Sequence, residues 1–331
     1  MTAARAFWTI APGCGEIRPE RLPHSSSRPG SAEPAHDEDS ATNISVRTLA
    51  SGVSRGTEAL VFAGSIPRSQ YQTMRAPLMR GEFPFPVKYG YSAVGRTEDG
   101  TRVFVLHPHQ DVFLAPAAMC IPVPDAVPTQ RAVLAANMET ALNLMWDATP
   151  LAGERILIIG GGVVGLLAAS LLARIPATSV TVVDIDRTRE PLAHQLGCDF
   201  ATPEAAPGEQ ELIVHASASE AGLRLALNRA AFEARIVEAS WFGDSTPALP
   251  LGEAFHARRL RLIGSQVGAV APPMRQRRSH ADRLALALGL LTDARYDSLL
   301  EGPTRFEDMP TAMPSILAPG GLCHVITYGA E

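Results

Sequence analysis

Paired cysteines are missing from this chain. Its four cysteines, Cys14, Cys120, Cys198 and Cys323, stand far apart and form no CxxC pair. Neither a disulfide framework nor a cysteine-based zinc module is expected, and a reducing, cytoplasmic compartment fits. Excess charge of one sign is also scarce. The formal net charge is -5 over 331 residues, which disfavours a nucleic-acid surface. Arginine runs at 258–261 and 275–278 are short and read as solvated faces or phosphate contacts. No basic segment followed by a long apolar run opens the sequence, so no signal peptide is expected. One apolar run, 156–175, approaches membrane-span length, but Gly160, Gly161, Gly162 and Gly165 interrupt it. A buried strand, a tight turn and a helix explain it better than a membrane span, so no membrane partner is expected.

What remains is ordinary globular material: 46% hydrophobic and 19% charged residues, in a chain long enough for two domains. The first third reads as mainly β. Strands are predicted at 4–10, 44–49, 101–106 and 111–114, with proline-rich, irregular chain at 65–90. Residues 23–43, rich in Ser, Pro and acids, are predicted to form a mobile surface loop. The pattern changes near residue 129. A helix is predicted over 130–146, and then strands (155–159, 179–184, 211–216, 234–240, 259–265) alternate with helices (164–174, 188–196, 220–230). That alternation predicts a doubly wound α/β sheet. A helix at 279–291 and a strand at 323–328 close the chain.

The central motif is Gly160-Gly161-Gly162-Val163-Val164-Gly165, with GxGxxG spacing. Its context matters more than its glycines. A buried strand precedes it, an apolar helix follows, and Asp184 ends the next strand 19 residues after Gly165. Gly160 suits the tight turn, Gly162 the close approach of a pyrophosphate, and Gly165 the packing of helix on sheet. The N–H groups near Val163 and Val164 would face phosphate. Asp184 suits ribose hydroxyls and repels a 2′-phosphate, so NAD(H) is favoured. Arg187 and Arg189 keep NADP(H) open, since an arginine can pair with a 2′-phosphate. Ser217, after the strand at 211–216, is a further candidate cofactor contact; its alternative is a plain loop serine.

A mainly β first third followed by such a domain resembles the medium-chain dehydrogenase/reductase superfamily, of the zinc alcohol dehydrogenase type, over nearly the whole chain. The segments that carry the resemblance are Ser51-Gly52-Val53-Ser54-Arg55-Gly56-Thr57-Glu58, Val87-Lys88-Tyr89-Gly90-Tyr91-Ser92-Ala93-Val94-Gly95, residues 134–142 and Gly264-Ser265-Gln266-Val267-Gly268. The resemblance implies a GroES-like, mainly β catalytic domain (1–137), a Rossmann cofactor domain (138–266) and a C-terminal segment (267–331) returning to the catalytic domain. It also implies a homodimer and a small-molecule substrate in the cleft between the domains. The Ser-Arg-Gly-Thr-Glu segment resembles the branch that includes the bacteriochlorophyllide 3-hydroxyethyl dehydrogenase.

The departures are informative. Where zinc members of that superfamily carry ligands, this chain has Ser54, Tyr91 and Ala136, and the four-cysteine lobe is absent. No zinc is expected, because zinc takes thiolate, imidazole or carboxylate ligands. His107 and His109 form the one close histidine pair and are assigned a structural or substrate-lining role. Tyr91 becomes the candidate catalytic donor to a carbonyl oxygen, with Ser54 and Thr57 as smaller donors. Lys88 could lower the Tyr91 pKa. Arg55 is expected on the cofactor pyrophosphate, its alternative being an ion pair with Glu58. The implied activity is zinc-independent hydride transfer between NAD(H) and a hydroxyl/carbonyl pair. Alternatives are an enone or quinone reductase using NAD(P)H and a non-catalytic redox sensor.

Overall fold

The computed structural model describes residues 3–22 and 43–329. The segment predicted as a loop at 23–43 lies outside these residues, apart from Asn43. The N-terminal part contains β1 (Ala3–Ala11), β2 (Cys14–Arg21), β3 (Asn43–Val53), α1 (Arg55–Ala63), β4 (Arg80–Gly81), β5 (Val87–Lys88), β6 (Ala93–Thr97), β7 (Arg102–Val105), β8 (Val112–Pro116) and β9 (Ile121–Pro122). Then come α2 (Thr129–Ala132), α3 (Ala135–Ala148), β10 (Arg155–Ile159), α4 (Val163–Leu172), β11 (Ser179–Val183), α5 (Glu190–Gln195), β12 (Asp199–Ala201), β13 (Gln210–His215), α6 (Glu220–Arg229), β14 (Ala230–Glu238) and β15 (Arg261–Gly264). The C-terminal part adds α7 (His280–Leu290), β16 (Leu300–Arg305), α8 (Met309–Ile316) and β17 (Cys323–Thr327).

The cofactor-type sheet has the order β12-β11-β10-β13-β14-β15, parallel throughout. Strand order reverses at the β10–β13 border, which defines the crevice where such sheets bind ligands. β10 is apolar and buried from Ile156 to Ile159 because helices cover both faces. The second sheet runs β16-β17-β3-β6-β7-β9, with β8 also paired to β3. Strand β17 from the C-terminal part thus hydrogen-bonds to the N-terminal β3, and β16 pairs with β17. A small third sheet, β2-β1-β5-β4, packs beside it. Among the described residues no helix is long and apolar enough to cross a membrane.

Several predicted elements need correction. The single helix expected over 130–146 is two helices. Val133 and Leu134 donate to residues three back, and the Val133 carbonyl accepts the Ser92 hydroxyl, which breaks the α-helical ladder. Helix α1 went unpredicted; the Glu58 carboxylate reaches back to the Ser54 N–H at 2.7 Å and holds its first turn. Strands β6, β12 and β16 and helix α8 also went unpredicted. Their stability comes from partners distant in sequence.

One apolar core joins the two large sheets, running from Val94 and Phe104 through α3 to Ile158, α4 and Leu284 of α7. Inside it sits a charged knot. The Arg283 guanidinium, 1% exposed, donates to Glu139 Oε1 at 3.0 Å, to Asn143 Oδ1 at 2.5 Å, and to the carbonyls of Val267 and Ala269. It ties α7 to α3 and to the chain leaving β15.

Candidate active site

At the end of β10 the chain turns through Gly160, whose φ is +112°. A Cβ there would lie 2.8 Å from the Ala216 carbonyl carbon and the Ser217 nitrogen, so only glycine fits. A Cβ on Gly165 would overlap the Gly160 carbonyl oxygen, which is why α4 can lie so close to the sheet. Gly162 differs from both: nothing lies within 4 Å of where its Cβ would be. It is the N-cap of α4 and no side chain caps that helix. The N–H groups of Val163 and Val164 therefore start a helix whose positive end opens onto the crevice.

Asp184, one residue past β11, is half-buried. Its Oδ2 accepts the Gly161 N–H at 2.6 Å and its Oδ1 the Asp186 N–H at 2.8 Å. The carboxylate thus holds the glycine turn as well as edging the crevice. Arg189 lies over the same turn, with its Cγ 3.1 Å from a Cβ position on Gly161. Its guanidinium bonds the Gly320 carbonyl and stands 3.4 Å from Asp186. Arg187 is exposed.

Arg55 opens α1 from the other side. It does not pair with Glu58. Its guanidinium instead donates to the carbonyls of Ile316 (2.9 Å), Leu317 (3.4 Å), Ala318 and Gly321. Burial lowers its pKa; Glu301 opposes that fall and Arg189 adds to it. Two guanidinium groups from separate parts of the chain thus grip one loop, 317–321, beside the glycine turn.

Tyr91 donates its hydroxyl to Ser54 Oγ at 2.7 Å. Asn137 Nδ2, from α3, donates to the same oxygen at 3.2 Å. With both lone pairs of Ser54 Oγ engaged, its own proton has no acceptor among the described residues. Burial pushes the Tyr91 phenol up to about 12, moderated by hydrogen bonding with Ser54 and Thr57. The suggested lowering of Tyr91 by Lys88 is therefore wrong. Lys88 is the chain's only lysine. It is buried, with Nζ 2.6 Å from Gln110 Oε1 and 3.4 Å from Glu20 Oε1. An absorbance titration should show no Tyr91 phenolate below about pH 11; a wild-type minus Tyr91→Phe difference near pH 9 would contradict it. Asn137 was missed from sequence. Its one signal was its place directly after Ala136, the expected third ligand position, which is buried.

The two histidines do not converge. His107 stacks on Phe113 with centroids 3.7 Å apart, and burial pulls its pKa down to about 3. His109 bridges Ser51 Oγ (2.7 Å) and Glu58 Oε2 (3.0 Å), both ring nitrogens engaged. Glu58 is thereby a buried brace behind Ser54. Cys323 lies on β17, buried, and burial pushes its thiol up to about 12. Among the described residues, no three His, Cys, Asp or Glu side chains gather as a metal site. Ser217, the remaining predicted contact, turns its hydroxyl to His215 Nε2 at 2.7 Å.

This architecture is a Rossmann sheet joined to a GroES-like β domain, the fold of medium-chain dehydrogenases. Solved structures match it along nearly its whole length. A short chain alcohol dehydrogenase from Escherichia coli complexed with NADH matches at TM-score 0.76, with 16% identity, covering 99% of this chain and 100% of that one. Benzyl alcohol dehydrogenase from Acinetobacter calcoaceticus matches at 0.75, with 14% identity and the same coverage. At these identities the likeness concerns the fold. No protein-family model matches the chain. An uncharacterized zinc-type alcohol dehydrogenase-like protein of Haemophilus influenzae is 29% identical over 172 residues, 47% of this chain and 50% of its own length. L-threonine 3-dehydrogenase of Rhizobium rhizogenes is 34% identical over 86 residues, 25% of this chain and 24% of its own. The chain spans half or less of the length of these curated relatives.

Proposed function

We propose that this chain is an oxidoreductase that transfers hydride between NAD(H) and a hydroxyl/carbonyl substrate, without zinc. The observation that carries this reading is one chain of contacts around the crevice. It runs from the uncapped glycine turn and Asp184, through Arg189 and Arg55, to the hydroxyls of Ser54 and Tyr91. The alcohol dehydrogenase-like relatives and structural neighbours support the oxidoreductase part of this reading; the absence of zinc rests on the residues at the cluster.

A dinucleotide fits the residues present. The open space at Gly162 and the start of α4 would take its pyrophosphate, and Asp184 a ribose. Asp184 favours NAD(H), since a 2′-phosphate would sit against its carboxylate. Bound nicotinamide supplies or accepts the hydride. The protein's share is to hold the substrate oxygen. Ser54 donates its free proton to that oxygen, while Tyr91 and Asn137, donating to Ser54 Oγ, polarise its hydroxyl. Tyr91 stays a neutral donor across the ordinary pH range and is not a base.

Zinc does not fit this cluster. It offers a serine, a phenol and an amide, and among the described residues no three His, Cys, Asp or Glu side chains gather there. The deciding experiment titrates the purified, metal-analysed protein with NADH and NADPH by nicotinamide fluorescence. NADH binding without stoichiometric zinc is expected. Asp184→Ala should weaken NADH roughly 10- to 100-fold, the loss of a charge-assisted hydrogen bond, and narrow the preference over NADPH. Stoichiometric zinc would sink the zinc-free part, and absence of binding by either nucleotide the whole.

A further inference from the structure

Directly past the crevice lip lies a linear set of polar groups that the mechanism above does not use. Ser217 Oγ stands 2.7 Å from His215 Nε2, and His215 Nδ1 stands 2.7 Å from Glu238 Oε2. Ser219 Oγ is 2.8 Å from Ser217 Oγ and accepts the Gly222 N–H at 3.0 Å. Ser240 N–H donates to the other Glu238 oxygen at 2.7 Å. His215 is fully buried and Ser217 half-exposed. Helix α6 makes room for the set: a Cβ on Gly222 would overlap the Ser217 hydroxyl and lie 2.7 Å from His215 Nε2. Around the imidazole, β10 presents Ile159, α6 presents Gly222, and the chain after β14 presents Ser240 and Phe242. The carboxylate of Glu238 is the charged group in contact with it.

Proton positions follow from the acceptors. A carboxylate can only accept, so Nδ1 of His215 carries its hydrogen toward Glu238. In the neutral ring Nε2 is then the acceptor, and Ser217 must donate its single hydroxyl proton there. Ser219 in turn donates to Ser217. One lone pair of Ser217 Oγ is left over. The Ser217 backbone nitrogen abuts Gly160, the residue that begins the glycine turn, which puts Ser217 at the rim of the dinucleotide crevice.

We propose that Glu238 and His215 are positioning residues that fix Ser217 as a hydrogen-bond acceptor for a ribose hydroxyl of the dinucleotide. The proposal rests on the dinucleotide reading above. It assigns His215 and Glu238 a role through Ser217, and it identifies the group they read as a hydroxyl donor rather than a phosphate.

The test is a double-mutant cycle on NADH affinity, using the whole protein with thermal melts as a folding control. Ser217→Ala should weaken NADH about three- to tenfold, the loss of one neutral hydrogen bond. Ser217→Thr, which keeps the hydroxyl, should bind within about twofold of wild type. His215→Asn should weaken NADH in the wild-type background but add less than about twofold in the Ser217→Ala background, because it acts only through that hydroxyl. Ser217→Ala binding NADH as wild type does, while Asp184→Ala binds weakly, would overturn the relay and leave the dinucleotide reading standing. A His215→Asn effect that is additive with Ser217→Ala would overturn the positioning role. Wild-type protein that fails to bind NADH would overturn both.

Discussion

Replacing Ser54 by alanine will lower kcat for carbonyl reduction about 10²- to 10³-fold while leaving the Kd for NADH within about twofold. Ser54 is where the local hydrogen bonds end. Two donors converge on its oxygen and its proton is left for an outside acceptor. A donor aimed at a developing oxyanion is worth about 2.7–4 kcal/mol, which sets the size of the loss. Tyr91→Phe will fall in the same direction but less steeply, about tenfold, because it removes the polarising donor and leaves Ser54 in place. The double variant will be little worse than Ser54→Ala alone, since both residues act through one hydroxyl. Steady-state kinetics on a panel of carbonyl substrates, with NADH affinity measured in parallel, checks all three. Equal kcat for Ser54→Ala and wild type would remove Ser54 from the chemistry.

The second large effect concerns stability. Arg283→Met will destabilise the fold by about 3–5 kcal/mol, a drop in Tm on the order of 10 °C. The reason is what stays behind: Glu139, 4% exposed, keeps its carboxylate in the core with its partner gone. Burial already raises the Glu139 pKa, with Arg283 opposing that rise, so removing Arg283 raises it further. The sign of the pH effect follows. A carboxyl whose folded pKa lies above its unfolded value contributes stability at acid pH that is lost as pH rises. The deficit of Arg283→Met will therefore shrink toward acid pH, where Glu139 is protonated. Glu139→Gln in the same background will recover part of the loss at neutral pH. Melting curves from acid to neutral pH measure this; a deficit independent of pH would mean that Glu139 is not the source.

Local chemistry made much of this protein legible in its sequence. The parallel sheet could be read because strands covered on both faces are nearly all apolar, as Ile156–Ile159 is and as Val180–Val183 is apart from Thr181. The glycine turn could be read because its spacing reflects limits inside the motif: Gly160 turns at positive φ, and a Cβ on Gly165 would meet the Gly160 carbonyl oxygen. Helix His280–Leu290 was foreseeable from a serine that caps it and an aspartate three residues on that reciprocates.

Other features needed the chain folded. The break at Val133–Leu134 depends on a hydroxyl 41 residues away, and a periodicity window cannot see it. Asn137 joins Ser54 across 83 residues, and Arg55 finds carbonyls more than 260 residues on rather than its neighbour Glu58. Lys88 stands three residues from Tyr91, yet its ammonium is committed to Gln110 and Glu20. Propensity, periodicity and glycine sterics act over a few residues, so the amino-acid order alone determined the central parallel strands, the turn and the types of side chain at the site. Which donor meets which acceptor is a matter of ångströms between segments far apart in sequence, and packing in three dimensions decided that.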